Sequence, residues 1–283
     1  MRLSLCTLGL IDRPLEECIH LAADIGYQGI EPLAREPHLS PATPPQRVRA
    51  IAGLIREAGL AVPDLAAGVG GFSQLDPAGV QRQLDDLQRL LDIAVALSCP
   101  LVRILAGGPE PAQATATHWE RAAEGLQRAA AIAASYGVRL GLELHYGYLH
   151  RDVAGVSRLL DSIGQANVGV IYDPANLYVA RAEYGPAAVL RLGREILHVH
   201  VKDSVRVDAA GPGVMGPPPY LYRPRPLGQG GVDYPPIVAA LREIGYDGFL
   251  SDESHQPGVE GAEVARQEYA ALRALISQKE QKR

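Results

Sequence analysis

Apolar and polar residues repeat along the chain with two periods, one typical of helices and one typical of strands. In the segment 15–23 the apolar residues return every three or four positions, which predicts an amphipathic helix, and Gly26 is suited to end it. The segment 196–203 alternates between apolar and polar residues, which predicts a β-strand. The unit of helix, glycine and strand recurs, and the segments 25–29 (IGYQG) and 244–248 (IGYDG) are near copies at opposite ends of the chain.

This pattern predicts eight strands, each followed by a helix or by a segment of helical length, at 2–8, 27–31, 60–65, 101–105, 138–144, 168–172, 196–203 and 248–253. Strands that alternate with helices pair in parallel, and eight such units in about 250 residues are the size of a closed barrel. The rival fold, an open doubly wound sheet, would favour a glycine-rich phosphate loop after an early strand, and neither GxGxxG nor GxxxxGK[ST] follows one; the GxGxxG match at 211–216 lies in the long loop after the seventh strand. The predicted fold is therefore an α/β (β/α)8 TIM barrel.

We expect a single domain over residues 1–283, with a long loop at 204–231 after the seventh strand and a charged C-terminal tail. Because this loop exceeds the usual length of a connection and follows the strand that carries His200, it is predicted to fold over the barrel as a lid. Gly228, Gly230 and Gly231 would make its return flexible.

Composition and charge narrow the class of protein. Of the 283 residues, 47% are hydrophobic and 21% are charged, a balance typical of globular proteins. The net charge of −5 and the lack of a long basic run argue against nucleic acid as a partner. The start of the chain is too short and polar for a signal peptide, and no stretch approaches the roughly 20 apolar residues of a membrane span.

The three cysteines, Cys6, Cys18 and Cys99, show no CxxC spacing. An odd number without such spacing favours reduced, partly buried thiols over disulfides or a metal site. The sequence therefore predicts a cytoplasmic protein whose partner is a small molecule and neither nucleic acid nor a membrane. It leaves open whether the chains form a homo-oligomer.

Four side chains that can bind a metal are predicted at the C-terminal ends of the last four strands. Alternation along each strand directs inward the side chains of Glu143, Asp173, His200 and Glu253, at the end of the barrel where active sites lie. Three carboxylates and one imidazole can be buried together around a divalent cation. Ligation without cysteine favours Mn²⁺, with Mg²⁺, Co²⁺ or Zn²⁺ as alternatives. The remaining interpretation is a hydrogen-bonded polar plug in the barrel.

Six further side chains are candidates for contact with a substrate: His145, Asn176, Lys202, Glu31, Arg223 and Arg225. Five of them have a structural alternative: a satisfied core position for the histidine, a helix cap for the asparagine, a salt bridge for the lysine and solvation for the two arginines. His198 lies deeper on the strand that carries His200, and we predict that it braces the metal ligands.

Four segments carry a resemblance to a known family: GLELH at 141–145, YDPANL at 172–177, HVHVKD at 198–203, and PLGQGGVDY with LREIGYDGFLSDE between 226 and 253. With these segments the chain resembles the xylose isomerase-like TIM barrel superfamily of sugar phosphate isomerases and epimerases over nearly its whole length. The resemblance implies a metal held by Glu143, Asp173, His200 and Glu253. It also implies that Glu143 and Glu253 form the proton-transfer pair.

The activity implied is that of a divalent-metal-dependent isomerase or epimerase, which acts on a small sugar or polyhydroxy carbonyl compound through an enediolate. The alternative is a dehydratase of an inosose or a dehydroshikimate-like cyclic ketone. The segment Lys202-Asp203-Ser204 differs from the arginine-containing segment of sugar epimerases and occurs more widely in the superfamily. The acidic pI of about 5.9 disfavours an endonuclease IV-like enzyme, and retention of both glutamates disfavours an inactive sugar-binding barrel.

Overall fold

The computed structural model describes residues 1–277 of the chain, so the charged tail predicted from the sequence falls outside the described residues. The strands are β1 (Arg2–Cys6), β2 (Gly29–Glu31), β3 (Leu101–Ile104), β4 (Arg139–Glu143), β5 (Val168–Tyr172), β6 (Ile196–Val201), β7 (Asp203–Arg206), β8 (Tyr222–Arg225) and β9 (Phe249–Asp252). The α-helices are α1 (Leu15–Ile25), α2 (Pro45–Glu57), α3 (Pro77–Ala96), α4 (Ala116–Ser135), α5 (Val153–Ile163), α6 (Pro174–Val179), α7 (Pro186–Leu192), α8 (Tyr234–Glu243) and α9 (Gly261–Ser277).

Seven parallel strands form a curled sheet in the order β2-β1-β9-β6-β5-β4-β3, which confirms the predicted TIM barrel class. Since all seven run the same way, their C-terminal ends share one edge, called the upper edge below. The register pairs His200 of β6 with Ser251 of β9, so that side chains from strands far apart in sequence reach similar heights.

The predicted third strand, 60–65, is not a continuous strand. Ala61 forms a bridge with Gly29 of β2, and Leu65 forms one with Val102 of β3, so the segment lies between these two strands. Pro63 has no N–H to donate, which interrupts the ladder between the two bridges. The segment occupies the eighth place in the curled sheet through isolated bridges.

Helix ends follow the local signals in the sequence. The side chain of Asp76 accepts a hydrogen bond from the N–H of Gly79 at 2.7 Å and caps α3. Gly26 ends α1 with a φ of +105°, which a residue with a side chain adopts at a cost. Among residues 1–277, none of the helices is both long enough and apolar enough to cross a bilayer.

The long segment after β6 contains the antiparallel hairpin β7–β8, which alternation did not predict. Asp203 fixes its base, because its carboxylate accepts hydrogen bonds from the N–H groups of Ser204, Gly228, Gly230 and Val232 at 2.8–3.2 Å. A Cβ atom at Gly230 would lie 2.0 Å from Asp203 Oδ1, so only glycine fits there. The loop therefore returns to the barrel through a defined anchor.

Candidate metal-binding active site

The structure brings four buried acidic and imidazole side chains together at the upper edge of the sheet. Glu143 ends β4, Asp173 follows β5, His200 lies near the end of β6, and Glu253 follows β9. Each offers one ligand atom, and these four atoms lie within 4.8 Å of one another. This is the same set of residues that alternation placed on the inner side of the last four strands.

His200 joins this cluster to a second layer of polar groups beneath it. Its Nδ1 atom lies 3.0 Å from Glu143 Oε1 and 3.7 Å from Glu253 Oε2. Its Nε2 atom lies 2.9 Å from Glu31 Oε1, and the other oxygen of Glu31 lies 2.8 Å from His198 Nε2. Glu31, His198 and His200 are thus joined by direct hydrogen bonds and form a second group of possible ligands.

Electrostatics keep Glu31 ionised in this position. Burial would raise its pKa, but the attraction of His200 and His198 and their hydrogen bonds hold it well below its usual value. An ionised carboxylate only accepts hydrogen bonds, so Nε2 of His200 carries a proton in this contact. The same histidine therefore turns its Nδ1 atom toward the carboxylates of the upper cluster.

Two cations neutralise part of the negative charge in the cluster. The Nζ atom of Lys202 lies 2.8 Å from Asp173 Oδ2 and donates a hydrogen bond to Glu253. Burial would lower the pKa of Lys202, but Asp173 and Glu253 raise it well above its usual value. From β3, Nη1 of Arg103 lies 2.7 Å from Glu143 Oε2, and its Nε donates to the carbonyl of Ala67 at 2.7 Å.

A cavity of about 520 Å³ opens above these charges, within the range of small-molecule sites. Its polar lining comes from Arg103, Glu143, His145, Asn176, Lys202, Glu253 and His255, and apolar lining comes from Leu8, Ile11 and Met215, together with Tyr222. Met215 and Tyr222 belong to the long segment that contains the hairpin, so this segment closes one side of the cavity.

The side chains predicted to contact a substrate fall into two groups. His145, Asn176 and Lys202 line the cavity. Asn176 also serves the structure, because its N–H donates to Asp173 Oδ1 at 2.8 Å and its side chain donates to the carbonyl of Leu144 at 3.1 Å. Lys202 combines a place in the cavity with the salt bridge that was its structural alternative.

The second group lies outside this cavity. Glu31 is fully buried beneath the cluster, and its two oxygens are bonded to histidines. Arg223 and Arg225 are half-buried on β8, and neither lines the cavity. Arg225 instead faces a small crevice beside Asp203. His198 lies beneath His200, and Glu31 contacts one nitrogen of each histidine.

Sequence reasoning did not identify Arg103 or Asp64, which are both inside the barrel. Arg103 interrupts the apolar run Leu-Val-Arg-Ile-Leu, and a lone charge in such a run was the available signal. Asp64 is fully buried, and neither of its carboxylate oxygens has a hydrogen-bond partner within residues 1–277. Burial raises the pKa of Asp64 well above its usual value, and the nearby Glu31 adds to the effect.

A family model described as the xylose isomerase-like TIM barrel matches residues 19–275 of the chain. An inosose dehydratase of Geobacillus thermodenitrificans is 26% identical over 147 residues, which are 50% of this chain and 49% of that protein. The rhizopine catabolism protein MocC of Rhizobium meliloti is 28% identical over 270 residues, which are 87% of this chain and 76% of that protein. The chain thus spans about half the length of the first of these relatives.

Solved structures with the same fold include enzymes of two reaction classes. IOLI protein with a bound zinc atom has a TM-score of 0.81 and 16% identity, over 98% of both chains. L-ribulose 3-epimerase has a TM-score of 0.79 and 20% identity, over 97% of this chain and 94% of that chain. The probable 3-DHS dehydratase AsbF of Bacillus anthracis has a TM-score of 0.78 and 17% identity, over 96% of this chain and 99% of that chain. At these identities the likeness establishes the fold.

Proposed function

Because the chain belongs to the xylose isomerase-like TIM barrel family, we propose that it is a divalent-metal-dependent isomerase or epimerase of a small sugar or polyhydroxy carbonyl compound. The observation that carries the proposal is the convergence of Glu143 and Glu253 on one cavity, beside Asp173 and His200. Moving a proton next to a carbonyl requires a base, an acid and an electrophile on the carbonyl oxygen. A relative named inosose dehydratase and a structural neighbour, L-ribulose 3-epimerase, support a sugar-like substrate.

We propose that Glu143, Asp173, His200 and Glu253 hold the metal ion. Their ligand atoms are close enough to share one cation, and three carboxylates with one imidazole suit Mn²⁺ first and Mg²⁺ or Co²⁺ next. His200 has the arrangement typical of metal-binding histidines, because its second nitrogen donates to Glu31. When bound, the ion would polarise the substrate carbonyl and stabilise the negative charge that develops on its oxygen.

Glu143 and Glu253 are the proposed acid–base pair. Burial would raise the pKa of Glu253, but Lys202 and His200 hold it below its usual value. For Glu143, burial acts the same way, while Arg103 and the hydrogen bond from His200 hold the pKa well below its usual value. Both side chains therefore rest as carboxylates that can accept a proton.

One of these carboxylates removes the proton beside the carbonyl and leaves an enediolate. The other side of the site returns a proton, either directly from the ammonium group of Lys202 or from Glu253 after it has taken a proton from that ammonium group, which contacts it. Return to the opposite face of the same carbon gives an epimer, and return to the neighbouring carbon gives an aldose–ketose isomer.

Dehydration of an inosose or a dehydroshikimate-like cyclic ketone is a second candidate. It begins with the same proton removal, after which a hydroxyl on the next carbon leaves as water. Lys202 favours this candidate, because its ammonium group lines the cavity and can protonate the departing oxygen. The relatives named inosose dehydratase favour it as well.

Proton NMR in heavy water distinguishes these candidates. We expect the Mn²⁺-loaded protein to exchange the proton beside the carbonyl of at least one compound in a panel of ketoses, aldoses and inososes. Exchange with all hydroxyl groups retained identifies an isomerase or epimerase, and formation of an alkene or its tautomer with loss of water identifies a dehydratase. A panel in which no compound exchanges or reacts contradicts both candidates.

Glu31→Gln is expected to weaken Mn²⁺ binding by about 10- to 100-fold, because a neutral amide no longer raises the basicity of His200. Since Glu31 lies beneath the cluster, KM at saturating Mn²⁺ should stay close to the wild-type value. Calorimetric titration of the metal-stripped variant measures the affinity, and Glu57→Gln, on the exposed face of α2, is the matched control. A raised KM with unchanged Mn²⁺ affinity would instead support the direct contact between Glu31 and the substrate that the sequence predicts.

A further inference from the structure

A second cavity opens at the lower edge of the sheet, on the opposite side from the candidate active site. Its volume is about 800 Å³, and its lining includes the first residue of β1, the first residue of β4 and the starts of β6 and β9. The lower edge of a TIM barrel usually serves stability and not chemistry. A cavity of this size at that edge is large enough for a metabolite.

The charge of this lower cavity is strongly one-sided. Its lining contains Arg2, Arg56, Arg139 and Arg194, and Asp247 is the one carboxylate among the lining residues. None of these four arginines forms an ion pair within residues 1–277. The chain as a whole carries a net charge of −5, so the lower cavity is positively charged on a chain that is negatively charged overall. Unpaired like charges repel one another, and a bound anion would relieve that repulsion.

The wall also positions one of these arginines. The guanidinium of Arg2 stacks on the ring of Phe249, 4.0 Å from its centroid, which leaves its N–H edge free to donate. The hydroxyl of Tyr246 donates to the carbonyl of Phe249 at 2.7 Å, and this holds the ring against Gly248 at the cavity wall. Buried apolar side chains, among them Ile55 and Leu60, supply a surface for the uncharged part of a ligand.

We infer that the lower cavity binds a small organic oxyanion with two or more negative charges, that is, a phosphorylated or polycarboxylate metabolite. Guanidinium groups bind phosphate and carboxylate oxygens through paired N–H donors, and four of them around one cavity match a multiply charged ligand. The cavity volume of about 800 Å³ accommodates such a metabolite together with its carbon skeleton. The site lies at the opposite edge of the sheet from the proposed active site, and His198, which lines it, contacts Glu31 beneath the upper cluster at 2.8 Å.

Calorimetric titration of the full chain tests this site with two probes, 2-phosphoglycolate and tricarballylate. We expect at least one probe to bind, and the double substitution Arg139→Gln and Arg194→Gln to weaken its affinity by at least about tenfold per arginine. The control carries Arg82→Gln and Arg121→Gln on α3 and α4, which are exposed, lie outside the cavity and change the net charge equally. Circular dichroism checks that both variants are folded.

Binding of 2-phosphoglycolate alone identifies a phosphorylated ligand, and binding of tricarballylate alone identifies a polycarboxylate; either supports the site if only the Arg139 and Arg194 substitutions remove it. The inference is overturned if neither probe binds at millimolar concentration. It is equally overturned if the double variant binds as tightly as the wild type, or if the control variant loses the same affinity.

Discussion

Glu253→Gln is expected to lower kcat by about 10²- to 10⁴-fold while the barrel stays folded. Glutamine keeps the shape of the side chain but removes the carboxylate that can take up a proton. In the structure this carboxylate is buried, accepts a hydrogen bond from Lys202 and lies 3.8 Å from Arg103. A neutral amide at this position loses both attractions and the proton-transfer role. Glu143→Gln should have an effect of similar size, because the two residues act as a pair.

Steady-state kinetics on the substrate found in heavy water provides the measurement, and circular dichroism checks the fold. Mn²⁺ is kept saturating and its binding is measured separately, so that loss of the metal is distinguished from loss of the base. Glu243→Gln, on the exposed part of α8, is the matched control and should leave kcat unchanged. If the double variant Glu143→Gln and Glu253→Gln is fully active, the two glutamates are not the acid–base pair.

The sequence was sufficient to predict which side chains meet at the upper edge. Parallel strands end at one edge, and alternation gives the face of each side chain. Glu143 and His200 could therefore be predicted to lie close together although they are 57 positions apart in the sequence. Alternation gives the face but not the height along the barrel. Glu31 was therefore predicted to face the inside of the barrel, and it does. Its position beneath His200 depends on the register of β2, which alternation does not give.

The parts that sequence reasoning missed depend on contacts between distant residues. Asp203 fixes the long loop by binding the N–H groups of Gly228 and Gly230, and no local pattern around Asp203 indicates those partners. The lower cavity gathers arginines from four separate segments of the chain, and each one alone resembles an ordinary exposed residue. Three-dimensional packing, and not local propensity, creates both features.

Lys202→Met is expected to destabilise the metal-free protein by about 3–5 kcal/mol, because it removes the cation that contacts two buried carboxylates. The carboxylates are those of Asp173, 2.8 Å from Nζ, and Glu253, and both are almost fully buried. For a protein of this size the loss corresponds to a fall in Tm of about 10 °C. Saturating Mn²⁺ should restore much of this stability, since the proposed ion is held by the same carboxylates and binds only the folded chain.

Thermal unfolding with and without Mn²⁺ measures both effects, in buffer treated with a chelating resin. Arg89→Met is the matched control, because Arg89 pairs with Asp86 on the exposed face of α3, where a salt bridge contributes about 0–1 kcal/mol. If Lys202→Met has the same Tm as the wild type without metal, the ammonium group does not stabilise the cluster. If its Tm falls but Mn²⁺ restores none of the loss, Asp173 and Glu253 do not hold the ion, and the proposed metal site is wrong at these two ligands.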